Sequence, residues 1–347
     1  QLLNDDKFID ENKEIFIKFF NTCFDKQKGG YTFVPNNNGD KVPSIYSTSN
    51  AIDVLHKIDE KVSTDKINLI KKFLKTCVKK DSDFTYLYDN SVGEKQKQNN
   101  IHDISTLYLT KRLIEKLNNN GSDKIFDLVP EQCINEYIEK CYNESIGGFA
   151  SNPSTKEPIV CATFFALSLI SNLFSDNGKN ELYNKFFMAE KNNINSFVAN
   201  CWGDAIGGFG ASIDSLPALN GTYFALRILK VLKLESKEYE DKINEFVKQC
   251  YCEDGGFSFS SVMPKAPFVH PTRWALQLHE YLQNPTFLTE KVKADTRYFL
   301  HKLFNRESGG FPGFCVSTDE VDFFDKYMIT EYAFKPYYRG KSYAINN

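Results

Sequence analysis

Five residues before a recurring Ala, the chain places in turn Tyr46, Asp103, Cys161, Asn220, His270 and Met328. Asp103 is a carboxylate that could act as a general acid, and as the residue before a helix it is equally suited to cap it. Cys161 could be a nucleophile if a base stood beside it. His270 is followed one helical turn later by Arg273. A pair of that kind can grip a diphosphate or another anion. Steps of three and seven from each starting position give Ser49 and Asp53, Thr106 and Thr110, Phe164 and Ser168, Tyr223 and Arg227, Arg273 and Gln277, Glu331 and Lys335. A polar stripe on otherwise apolar helices costs free energy when buried without partners, so it is expected to face a wet cavity. Steps of four give Asn50, Leu107, Phe165, Phe224, Trp274 and Tyr332. This second stripe is either an aromatic wall of the cavity or packing between two layers of helices.

These positions repeat because the chain repeats. KGGYTF, IGGFAS, IGGFGA, DGGFSF and SGGFPG begin at Lys28, Ile146, Ile206, Asp254 and Ser308. Each follows an amphipathic segment whose apolar residues fall at i, i+3, i+4 and i+7. The sets are Phe16/Phe19/Phe20/Cys23, Ile70/Phe73/Leu74/Cys77, Ile134/Tyr137/Ile138/Cys141, Ile194/Phe197/Val198/Cys201, Ile243/Phe246/Val247/Cys250 and Thr296/Phe299/Leu300/Leu303. That spacing makes one stripe on a helix. The second copy has lost its Gly-Gly and reads DSDFTY. After each turn comes Thr, two residues, Ala and a large apolar residue, as in Thr163/Ala166/Leu167. These second segments are more apolar all round and are expected to be the more buried. The last is cut short by Pro336. Gly-Gly supplies the positive φ that ends the first helix.

The expected fold is therefore all-α, with six helical hairpins over residues 10–58, 64–117, 130–173, 190–233, 240–282 and 292–340 of a single domain spanning 1–347. No polar cap repeat stands at either end, so closure into a ring is expected over an open solenoid. If the ring closes, Asp53, Asp103 and Glu331 make one side of the lumen acidic, and Arg227, His270 and Arg273 make the other basic.

Composition narrows the function classes. Among 347 residues, 42 Lys and Arg balance 45 Asp and Glu for a net charge of -3, which argues against nucleic acid as the ligand. No run approaches the roughly 18 apolar residues of a membrane span. Nine Cys without a Cys-x-x-Cys pair, most of them recurring once per unit, read as reduced buried thiols and a cytoplasmic compartment. The chain starts QLLNDDKF, with neither Met nor an apolar leader, which leaves open what preceded it.

The Gly-Gly-Phe turns with a Cys shortly before them resemble the prenyltransferase and terpene-cyclase (squalene cyclase-like) superfamily. The likeness covers nearly the whole chain, and in size it is nearest to the β-subunit of protein prenyltransferases. The resemblance implies a closed α/α toroid with inner and outer rings, and an isoprenoid diphosphate held in a central aromatic cavity. It also implies a helical-repeat α-subunit as partner and a Zn²⁺ ion held by an Asp-x-Cys and a His in the next unit. Carried onto this chain, it makes Asp103, Cys161 and His270 the catalytic candidates. Arg227, Arg273, Tyr223, Phe165, Phe224, Trp274 and Tyr332 become the substrate-binding candidates. Two features depart from the family pattern. Ile159 stands where the motif has Asp, and Asn220 occupies the unit after Cys161, with His270 one unit further on. Helix axes two units apart on a hexagon lie about 16 Å from each other, while Cys, His and two metal bonds span roughly 13–14 Å. No cofactor is therefore expected, and zinc only if the family site is rearranged. A terpene cyclase-like enzyme, a non-catalytic toroid binding a lipid or a protein, and an enzyme using Asp53, Asp103 or Glu331 on a sugar are the competing readings.

Overall fold

The computed structural model describes residues 6–32, 42–80, 85–87, 103–118, 125–174, 180–307 and 309. The long helices alternate between two layers. The outer helices are α1 (Asp6–Cys23), α3 (Thr64–Cys77), α5 (Glu131–Cys141), α8 (Lys191–Asn200), α10 (Glu240–Cys250) and α12 (Glu290–Leu303). The inner helices are α2 (Ile45–Lys57), α4 (Ile104–Leu117), α6 (Val160–Phe174), α9 (Leu219–Val231) and α11 (Val269–Leu278). A short α7 (Glu181–Asn184) runs into a π-helical turn, Lys185–Ala189, before α8. The sixth inner helix expected from the sequence, with Met328, Glu331, Tyr332 and Lys335, lies outside the described residues.

The i, i+3, i+4, i+7 stripes bury as their spacing requires. Ile70, Phe73, Leu74 and Cys77 on α3 are buried, as are Ile243, Phe246, Val247 and Cys250 on α10. Complete burial of a Phe contributes up to about 3 kcal/mol, which outweighs the mixed helix propensities of these Lys- and Asn-rich segments. Start signals are local. Ser44 and Ser47 form a reciprocal capping box on α2, Ser63 caps α3 and Thr289 caps α12. Helix α6 is apolar nearly all round, and Ala166, Leu167, Leu169 and Ile170 have no exposed surface.

Each Gly-Gly turn is held twice. The first Gly takes positive φ, +89° at Gly147 and +87° at Gly207, and approaches the backbone of the next unit's outer helix. The aromatic residue after the turn donates its backbone N–H to the repeat Thr of the inner helix. Phe149 bonds to Thr163 Oγ1 at 2.9 Å, Phe209 to Thr222 at 3.0 Å and Phe257 to Thr272 at 2.9 Å. Each Thr hydroxyl then donates to the carbonyl four residues back, as Thr163 does to Ile159 at 2.9 Å. The Thr is therefore the clasp between turn and inner helix. Thr163→Val keeps the shape but strands the Phe149 N–H in a buried site. It is expected to lower stability by about 2 kcal/mol, read by urea unfolding. A loss below a few tenths of a kcal/mol would show that the turn holds without its clasp.

The same contact closes the ring. A Cβ on Gly29 would strike α3, on Gly147 α8, on Gly207 α10 and on Gly255 α12. The sixth turn continues the series onto the first helix: a Cβ on Gly309 would lie 2.6 Å from the Ile15 carbonyl oxygen of α1. Phe304, at the end of α12, meets Phe8 and Phe16 with ring centroids 5.2 and 5.0 Å apart. Inside, α2, α4, α6, α9 and α11 pack side by side in that order. Among the described residues the strands form two-stranded hairpins, including Val78–Lys80 with Thr85–Leu87 at the copy that lost its Gly-Gly. The fold is an all-α toroid with its lumen walled by the inner helices. No helix among the described residues is long and apolar enough to cross a membrane.

The repeat thiols bear on pH. Burial pushes Cys23 and Cys201 up to about 12, and it raises Cys141 and Cys250 further. A folded-state value above the ordinary thiol value near 8.5 favours the folded state fully below that pH and progressively less as the pH rises through the folded values. Stability is expected to fall from about pH 9 upward, and Cys201→Ala to flatten that fall in a urea series across pH 7 to 11.

Candidate functional site

The face of the inner helices turned away from the outer ring is only half-covered. On α6 it carries Cys161 and Phe165, on α9 Asn220, Phe224 and Arg227, on α2 Tyr46, Asn50 and Asp53, and on α11 half-buried Trp274 and Gln277 with His270 exposed, whereas Asp103, Leu107 and Thr110 of α4 and Ser168 of α6 are buried. These fall at steps of zero, four and seven. The lumen stripe thus differs from the polar stripe expected at steps of three and seven. At step three, Ser49, Thr106, Phe164 and Tyr223 are buried, because that position turns toward the adjacent inner helix. Arg273 alone of the described step-three residues is exposed. At step four Phe165, Phe224 and Trp274 are half-buried and pack against the core, while Leu107 is buried. Tyr332 lies outside the described residues.

Ring contacts run without a break from α4 to α9. Tyr108 meets Phe165 at 5.1 Å, Phe165 meets Phe224 at 5.5 Å, and Phe224 meets Tyr223 at 5.1 Å between ring centroids. Tyr223 reaches Tyr281 beyond the end of α11 at 5.8 Å. Trp274 stacks near His270 at 6.0 Å and meets Phe259 edge-on at 5.9 Å. Tyr108, Tyr281 and Phe259 are additions to the residues expected from the sequence. Tyr281 sits eleven residues after His270, one further step along the lumen stripe, and that spacing was its available signal.

Charge is distributed unevenly around these rings. Arg227 lies with its guanidinium carbon 3.7 Å from the centroid of the Phe164 ring and donates to the Tyr223 hydroxyl at 3.0 Å. Lys230 lies 4.8 Å from the Tyr281 ring centroid. Among the described residues neither these two nor Arg273 has a carboxylate within ion-pair distance. Burial pushes the Tyr223 phenol up to about 12 against the opposing pull of Arg227. Burial, then Arg273, lowers His270, so it is neutral at pH 7 although solvent reaches it. The expected acidic side is largely silenced. Asp53 receives Arg112 at 3.0 Å and also Lys116. Asp103 caps α4, accepting from the Ser105 N–H at 2.8 Å. Glu331 lies outside the described residues. Asp103 is close enough to Cys161 in the next unit to raise its thiol, after burial itself, to about 12.

A ring of helix pairs, closed by one repeated contact and lined with aromatic side chains, can be set against known proteins. The sequence matches the family model of the prenyltransferase alpha-alpha toroid domain over residues 1–174 and 178–267. The chain belongs to that family. No curated protein matches its sequence. Among solved structures, Candida albicans protein geranylgeranyltransferase-I complexed with GGPP is similar, with TM-score 0.54 and 16% identity over 83% of this chain and 85% of that one. The cellobiose 2-epimerase from Bacillus thermoamylovorans B4167 is similar too, with TM-score 0.62 and 13% identity over 90% of this chain and 92% of that one. At these identities the likeness is one of fold, and the fold carries more than one chemistry.

The donors of this prenyltransferase-family toroid do not fit the zinc site the resemblance implied. Cys161 starts α6 and His270 starts α11, with α9 packed between them. Among the described residues no three His, Cys, Asp or Glu side chains converge on a point that could hold a metal. The Cys161 thiol, held protonated by burial and Asp103, is poorly prepared as ligand or nucleophile. At pH 8 its alkylation by iodoacetamide is expected to run roughly a thousandfold slower than that of an unperturbed thiol, given the thiolate fraction its raised value leaves. Residue-resolved mass spectrometry checks this. Alkylation at an ordinary rate would mean that burial, with Asp103 beside it, does not hold the thiol protonated.

Proposed function

We propose that the toroid holds an isoprenoid diphosphate in its lumen, in the manner of a prenyltransferase β-subunit. The observation that carries this is a half-buried row of aromatic side chains beside Arg273, which has no carboxylate within ion-pair distance among the described residues. His270 and Arg273 take the diphosphate at the ends of the inner helices, and Phe165, Phe224 and Trp274 take the apolar chain. Transfer begins when the bond from the allylic carbon to oxygen breaks and its electron pair leaves with the diphosphate. Arg273 stabilises the departing charge, and the faces of the three rings stabilise the cation left behind. A lone pair of the acceptor then bonds to the allylic carbon, and neutral His270 accepts the proton that the acceptor gives up. Zinc has no part in this scheme, because the described donors do not converge. A helical-repeat α-subunit is the proposed partner.

Trp274 is one of two tryptophans, so in a Trp202→Phe background its fluorescence reports on the inner helices. Titration with geranyl diphosphate is expected to quench it saturably, in agreement with equilibrium binding of the labelled compound. Absence of binding by any isoprenyl diphosphate would reject the reading. Saturable quenching by cellobiose in its place would assign the lumen to a carbohydrate.

A further inference from the structure

The lumen is layered along the inner helices. The first layer holds Tyr46, Asp103, Cys161, Asn220 and His270 and is polar or polarisable. Four residues on, the layer is Asn50, Leu107, Phe165, Phe224 and Trp274, nearly all apolar. Seven residues on, the half-buried residues are polar again, Asp53 on α2, Arg227 on α9 and Gln277 on α11, while Thr110 and Ser168 are buried. The apolar belt is therefore bounded on both sides. Seven residues of helix rise about 10 Å, and the belt is what lies between.

The lower boundary is firm on two observations. Arg227 does not hang free: stacking on Phe164 at 3.7 Å and its bond to Tyr223 fix the cation directly beneath the belt. Gln277, half-buried on the neighbouring helix, has a buried carbonyl oxygen with no hydrogen-bond partner among the described residues. A stranded acceptor at this depth is satisfied by a donor or water and is unfavourable against hydrocarbon. On the far side, Arg112 and Lys116 converge on Asp53 at the same level.

We propose that the lumen is matched to a short prenyl chain of about two isoprene units, with Arg227 and Gln277 as the residues that set its length. The inference rests on the isoprenoid reading above. One isoprene unit adds four chain bonds of about 1.5 Å each, roughly 5 Å when extended. Ten carbons fill the belt, five leave part of it empty, and fifteen or twenty drive hydrocarbon onto a guanidinium and an unpaired amide oxygen. Arg227 thus leaves the diphosphate to His270 and Arg273 and meets the tail end instead.

The test is a set of dissociation constants for dimethylallyl, geranyl, farnesyl and geranylgeranyl diphosphates on the full chain, read by Trp274 fluorescence and confirmed by calorimetry. Affinity is expected to rise at least tenfold from five to ten carbons and to fall at least tenfold from ten to twenty. Arg227→Leu with Gln277→Leu is expected to remove that fall, tightening farnesyl diphosphate at least tenfold and leaving geranyl diphosphate within threefold. Thermal unfolding of the variant checks its fold, and Gln277→Leu alone gives a milder version of the same shift. Affinity that climbs steadily to twenty carbons in the unaltered chain overturns the proposal while leaving the isoprenoid reading intact. Failure of all four compounds to bind overturns that reading instead.

Discussion

Gly147→Ala is expected to cost about 4 kcal/mol or more and to leave most of the chain unfolded or insoluble. Two penalties add at this position. The backbone sits at φ +89°, a conformation an L side chain adopts only at a cost of about 1–3 kcal/mol. The new Cβ would also lie 2.2 Å from the Asn193 carbonyl oxygen and 2.6 Å from its carbon. These are backbone atoms of α8, so relief requires the next unit to move outward. A domain with roughly 5–15 kcal/mol of net stability does not absorb that easily. The adjacent Gly148 is the control. It lacks positive φ, and its Cβ would meet the Phe197 ring and Pro158 side chain at 2.8 Å, for about 1–3 kcal/mol of overpacking. Urea unfolding of the two variants separates the cases. A Gly147→Ala chain that keeps its midpoint would mean that successive units are not locked through this turn. The sixth turn makes the same contact with α1, so the closure of the ring would lose its support as well.

That dependence on glycine was readable before any coordinates, and other features were not. The stripe Ile243, Phe246, Val247 and Cys250 announces one buried helix face by spacing alone, and the structure buries all four. Gly-Gly-aromatic announces a turn. The repeat Thr gave no comparable signal. Its partner, the N–H of Phe149 for Thr163, lies 14 residues away and becomes its neighbour only when the hairpin closes. The choice between steps of three and four was equally hidden. Tyr223 and Phe224 differ by 100° around α9, and only the placement of α11 decides which of the two is covered. Asp53 offered no clue to its partners, because Arg112 and Lys116 come from the next inner helix. Pairwise electrostatics across units is tertiary information, and it turned a candidate acid into a structural ion pair. Among the described residues no carboxylate lies within ion-pair distance of Arg227, Lys230 or Arg273.

Arg273→Glu carries the largest expected effect on ligand binding. Arg273 is exposed and makes no ion pair among the described residues, so its replacement removes no fold contact and the melting temperature is expected to move by less than about 2 °C. A charge-assisted contact to a diphosphate contributes about 1.5–3 kcal/mol, and a carboxylate in its place adds repulsion. Binding of geranyl diphosphate is therefore expected to weaken more than a hundredfold. Geraniol, which lacks the charge, is expected to change less than threefold, since it uses only the aromatic belt. His270 supplies an independent readout. Arg273 now helps to lower its pKa, and a glutamate at 273 reverses the sign of that contribution, favouring the imidazolium. An NMR titration should show the His270 transition moving to higher pH in the variant. If geranyl diphosphate binds the variant as tightly as the unaltered chain, the diphosphate does not lie on α11. The unpaired Arg227 and Lys230 of α9 would then be left to receive it, and the polar layer beneath the aromatic belt would become the head-group site in place of the tail's end.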